Sequence, residues 1–144
     1  MRVKKNVLFM VSIGFCAILL ASCSSQNTIS SWVTGNSFSA NNGQVLSDIN
    51  GIENGIKLKE LTQLHTVCEA LSADASTVYQ TLPTPVQALT DAFSQAYTDL
   101  SQAGHDCYYA PSFTSPLMRK FEKEFAVAKS QLSSALALLS TFKN

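Results

Sequence analysis

Charge is sparse in this 144-residue chain: ten basic and ten acidic side chains amount to 14% of it, with two histidines and one tryptophan. Three of the basic residues, Arg2, Lys4 and Lys5, crowd the N-terminus. Without them, seven basic side chains face ten acidic ones, a net charge of about −3. No basic patch is left to neutralise phosphates along a nucleic acid, and that class of partner is not expected. Catalytic signatures are also missing. There is no GxSxG elbow, no HExxH and no phosphate-cradling glycine loop, and Asp91, Asp99 and Asp106 fall on the polar flanks of their helical stripe. An enzyme is not expected, nor is a cofactor. The four cysteines contain no CxxC pair. The one long apolar run, residues 7–21, is too short to span a bilayer as a helix.

What the N-terminus does contain is ordered. A basic tip precedes the apolar run, and Leu20-Ala21-Ser22-Cys23 closes it. Tip, run, small residues and cysteine together resemble the lipobox signal of bacterial lipoproteins. That resemblance implies diacylglyceryl transfer to the Cys23 thiol, cleavage before it, and a mature chain held at the extracytoplasmic face of the cell membrane by lipid. Each buried methylene contributes about 0.8 kcal/mol, and two or more acyl chains anchor stably where one does not. Cys23 is then an anchor and not a nucleophile, and Cys16 leaves with the signal peptide, residues 1–22.

Removal of 22 residues leaves 122, a single-domain length. Residues 24–44 are rich in Ser, Asn, Thr and Gly with four larger apolar side chains, Ile29, Trp32, Val33 and Phe38. The composition predicts a flexible tether spanning about 25 Å over residues 23–44. Trp32 reads as a loop residue covering a small part of the domain, with insertion into the lipid interface as the alternative. The folded domain is expected over residues 45–144.

There the apolar residues follow a helical period. Leu82, Val86, Leu89, Phe93, Ala96, Leu100, Ala103 and Cys107 step by four and three. Thr84, Pro85 and Gln87 form a start signal, which predicts a helix over 85–109. Gly104 reads as its end or as a weak last turn. Ser115-Pro116 repeats the cap-then-proline signal ahead of Leu117, Phe121, Phe125, Ala128, Leu132, Ala135, Leu139 and Phe142, predicting a helix over 116–141. Arg119, Lys120, Glu122, Lys123 and Glu124 form its solvated face. A third helix is expected over 45–73 with a bend near Gly55, although Gly51 and Gly55, four apart, also suit close helix packing. The resulting expectation is an all-α, three- or four-helix up-down bundle behind a lipidated flexible tether.

With Cys23 lipidated outside the cytoplasm, Cys68 and Cys107 are the two thiols left, both on core stripes in an oxidising compartment. A disulfide between them is expected. In a simple hairpin turning at Pro83 their heights would differ by roughly 13 Å, too far for a disulfide. Residues 74–83 are therefore expected to leave the helix axis. The competing reading is a zinc or copper site built from His65, Cys68, His105 and Cys107. Against it, residues two apart such as His105 and Cys107 point to different sides of a helix.

Tyr79, Tyr97, Tyr108, Tyr109 and Phe113 read as lids over the core and not as an aromatic site. The turn Leu82-Pro83-Thr84-Pro85 with Asp106-Cys107 further along is similar to small exported helical proteins of actinobacteria, a likeness that implies no activity. The expected partners are the membrane, through the lipid anchor, and another protein of the cell envelope. The role expected is structural or interactive, with a ligand- or metal-binding lipoprotein as the alternative.

Overall fold

Helices dominate residues 28–142, the part of the chain that the computed structural model describes, and no strand occurs among them. A segment over 28–35 (α1) is followed by α2 (Phe38–Leu58), α3 (Leu61–Tyr79), α4 (Gln87–Tyr108) and α5 (Pro116–Thr141). Helices α2 to α5 form an antiparallel up-down bundle, each packed on the next in chain order. Tyr97 crosses the middle, its buried phenol donating to Asn42 Oδ1 at 2.8 Å and tying α4 to α2. Lys129 of α5 pairs with Glu53 of α2 and closes the ring of helices. The signal region 1–22 and Cys23 lie outside the described residues. Among the described residues no helix is long and apolar enough to cross a membrane.

Helix α5 has the bounds its start signal predicts. Ser115 is extended, its hydroxyl accepts from the Met118 amide at 3.1 Å, and Pro116 opens the first turn. Helix α4 begins two residues later than the Thr84-Pro85 signal suggests. Thr84 accepts from the Val86 amide at 3.1 Å and donates to the Val86 carbonyl at 2.7 Å, so it closes a turn ahead of the helix and does not cap it. Gln87 donates to Asp91 at 2.8 Å instead of reaching back to complete a capping box.

Two expectations about the N-terminal half are corrected. Residues 45–73 are not one bent helix: the chain reverses at Lys59 and Glu60. Lys59 takes a left-handed conformation (φ 56°), with its amide on the Ile56 carbonyl and the Glu60 amide on the Gly55 carbonyl. This pair of bonds is a Schellman stop built on lysine. Gly51 and Gly55 serve packing, because a Cβ on Gly51 would sit 2.9 Å from Val67 and one on Gly55 3.2 Å from Leu64. Nor are residues 28–44 a tether. Ile29, Trp32, Val33 and Phe38 are all buried, each contributing roughly 1.5–3 kcal/mol. The Trp32 ring lies 4.6 Å from Phe38 and its Nε1 donates to the Thr81 carbonyl at 3.2 Å.

The helical cover and the cysteine geometry are connected. Helix α3 continues straight through Asp74 to Tyr79, against expectation. Cys68 therefore stands about 16 Å below the top of α3, and Cys107 about 30 Å below the top of α4, at 1.5 Å per residue. The connection 80–86 climbs the difference, so the first turns of α4 overhang α3. Helix α1 and the start of α2 cover that overhang, where Phe93 meets Phe38 at 5.1 Å and Trp32 at 6.5 Å.

Candidate functional site

Cys68 and Cys107 are fully buried and joined by a disulfide with their Cα atoms 5.8 Å apart. Beside it α3 and α4 approach more closely than side chains normally allow: a Cβ on Gly104 would meet the Cys68 carbonyl oxygen at 2.7 Å and the Ser72 amide at 2.8 Å. Gly104 is thus neither a helix end nor a weak turn but the contact point of two backbones. Ser101 fills the next position up the seam, donating to the Ser72 carbonyl at 3.1 Å and lying 3.0 Å from the Ser76 hydroxyl.

The four residues weighed as a metal set do not converge. Both sulfurs are bonded to each other, so neither is available as a thiolate. His65 Nε2 donates to the Ala110 carbonyl at 2.9 Å, which ties α3 to the α4–α5 connection. His105 is exposed, its Nδ1 3.6 Å from Asp106 and its ring 4.7 Å from Tyr109. Among the described residues no three His, Cys, Asp or Glu side chains gather so as to hold a metal ion.

Asp106, placed on a polar flank by its spacing, is buried. It accepts from Lys120 Nζ at 2.6 Å and from Gln102 at 3.1 Å. Burial works to raise its pKa, but the hydrogen bond and charge of Lys120 outweigh it and hold the carboxyl below the ordinary value. Lys120 is thereby more than part of a solvated face, since it also joins Glu124 at 3.6 Å. A second carboxyl site escapes sequence reading entirely. Asp48 of α2 faces Asp74 of α3, one of its carboxyl oxygens buried without a hydrogen-bond partner, and burial foremost, then the nearby Asp74 carboxyl, raises Asp48 from 3.8 to about 6. Two acids separated by 26 residues announce nothing until the register of α2 on α3 brings them together.

A broad hollow runs along the α3–α4 seam. One part, of about 590 Å³, is lined by Ser76, Tyr79, Gln80, Thr98, Gln102 and His105 among others. A second, of about 310 Å³, shares Ser72, Ser76 and His105 with it and continues past Glu69 to Tyr108 and Tyr109. Three of the tyrosines read as core lids are instead on the surface here: Tyr79, Tyr108 and Tyr109 are 46, 36 and 60% exposed, and only Tyr97 is core. No protein-family model, curated protein or solved structure matches the chain.

Proposed function

We propose that the chain is a lipoprotein of the bacterial cell envelope, anchored through Cys23 at the extracytoplasmic face of the membrane, with the helical bundle as its interaction domain. The observation that carries this reading is the ordered signal: basic tip, apolar run and Leu20-Ala21-Ser22-Cys23. The Cys68–Cys107 disulfide supports it, because such bonds persist in oxidising compartments. The bundle acts by binding and not by catalysis. The fold also changes how it is presented. Helical structure is in place by Thr28, so five chain steps, at most about 18 Å, separate the anchor from the domain. A connection that short would keep the bundle near the membrane surface, α1 end first, in place of a long tether.

The test is metabolic. Cells expressing the full chain are fed an alkyne palmitate analogue, and membranes are separated from cytosol. Label on the wild-type chain in membranes, and none on a Cys23→Ser variant, is the expected result. An unlabelled chain, or label that survives the substitution, overturns the proposal.

A further inference from the structure

The seam between α3 and α4 differs from the rest of the surface in three respects. The first is where aromatic surface is exposed. Of the six large hydrophobic or aromatic side chains exposed among the described residues, three are tyrosines that rim this one groove. Tyr79 stands at one end, and Tyr108 and Tyr109 at the other with their rings edge to face at 4.9 Å. Tyr79 and Glu69, at opposite ends, are ten helical residues apart, about 15 Å along the axis.

The second respect is charge. Among the described residues no lysine or arginine lines either part of the groove, and Glu69 is the one carboxylate. The neighbouring hollow on the α4–α5 side, by contrast, is lined by Asp99, Lys123 and Glu124.

The third respect is the kind of polar group in the floor, hydroxyl and amide in place of charge. The Ser76 and Ser101 hydroxyls donate inward to the Ser72 carbonyl at 2.8 and 3.1 Å, and Gln102 donates to Asp106. Hydroxyl and amide oxygens keep acceptor lone pairs when their protons are engaged. The floor is therefore held ready to accept hydrogen bonds from a ligand rich in hydroxyl donors.

We infer that the α3–α4 groove binds a neutral oligosaccharide strand, with the exposed tyrosine rings at its two ends stacking on the apolar faces of sugar rings and the serine and amide floor accepting from sugar hydroxyls. The inference rests on the reading of the bundle as an interaction domain and names the chemistry of its partner. It does not depend on lipid at Cys23, which the labelling experiment tests separately.

The full chain, purified from membranes in a detergent without a sugar headgroup, is mixed in turn with chitotetraose, cellotetraose and maltotetraose. Saturation-transfer NMR then reads contact with the sugar C–H protons. At least one tetrasaccharide is expected to respond. The joint variant Tyr79→Ala and Tyr109→Ala should bind it at least about tenfold more weakly, while Lys123→Ala, on the α4–α5 face, should leave it unchanged. Both tyrosines are substantially exposed, and circular dichroism verifies that the variants fold. Three results overturn the inference: no transfer to any of the three at millimolar concentration, an undiminished response in the folded double variant, or capture of a protein by a photoreactive residue at position 79 when no saccharide responds.

Discussion

Replacing Gly104 with alanine adds one methyl group at a place where two helix backbones already touch. Its Cβ would lie 2.7 Å from the Cys68 carbonyl oxygen and 2.8 Å from the Ser72 amide nitrogen, against ordinary contacts of 3.4 Å or more. Both neighbours are backbone atoms and cannot rotate aside. The helices must therefore part locally by about 0.6 Å, a gap that forfeits a quarter to a half of each dispersion contact it opens. Overpacking of this kind costs about 1–3 kcal/mol. Helix propensity opposes it, because alanine is favoured over glycine in a helix interior by about 1 kcal/mol. With rigid backbone on both sides the overpacking cost falls in the upper part of its range, about 2–3 kcal/mol, so the net expectation is a loss of about 1–2 kcal/mol, read as a Tm lowered by about 4–10 °C for a domain of this size. Gly43 supplies the control of opposite sign: it lies in α2 with nothing within 4 Å of a built Cβ, so Gly43→Ala should gain up to about 1 kcal/mol. Thermal unfolding followed by circular dichroism reads both. A Gly104→Ala protein as stable as wild type, or more so, would refute the close approach of α3 and α4.

Trp32→Ala removes a core ring and leaves the Thr81 carbonyl without its donor. Urea unfolding should register a loss of about 3–5 kcal/mol, whereas a residue in a flexible tether would lose nothing. Reducing the Cys68–Cys107 bond, which closes a loop of sequence separation 39, should cost about 2–4 kcal/mol; denaturation midpoints that coincide with and without reductant would contradict this. Asp48→Asn tests the carboxyl pair. Because Asp48 is raised from 3.8 to about 6 in the folded chain, its contribution is full below pH 3.8 and is lost as pH rises through about 6. The shift sets a ceiling of about 3 kcal/mol, and screening at this partly exposed site reduces it to about 1 kcal/mol. The variant should be the more stable protein at pH 7.5, and its advantage should vanish near pH 4. An advantage that does not change with pH would rule out the raised Asp48 carboxyl.

How much of this fold could be read from the chain depended on how local each signal was. Helix α5 was legible end to end, because Ser115-Pro116 starts it and an unbroken apolar period carries it to Thr141. The disulfide was legible because Cys68 and Cys107 both fall on core stripes. The α2–α3 boundary was hidden: its stop is a lysine with φ 56°, a conformation that residue type does not advertise. The nearby glycines that suggested a break are packing positions. Helix α1 was hidden by averaging. Its Ser, Thr and Gly content outweighed Ile29, Trp32 and Val33, whose spacing puts them on one helical face toward the overhang of α4. The axial mismatch between Cys68 and Cys107 does require a displaced connection, but it lies at residues 80–86 and not at 74–83, because α3 runs on to Tyr79. The Asp48–Asp74 pair and the α3–α4 groove were illegible in principle, since each exists only once the register between helices is set.

The central claim is that one polypeptide begins at a lipidated Cys23, a few residues ahead of a helical domain stapled between Cys68 and Cys107. Intact-mass measurement of the protein extracted from membranes under non-reducing conditions tests it in one spectrum. The account predicts a chain that starts at Cys23, carries the added mass of acyl groups, and lacks the two hydrogens of an oxidised cysteine pair. A chain retaining residues 1–22, or one cleaved elsewhere with no acyl mass, would contradict it.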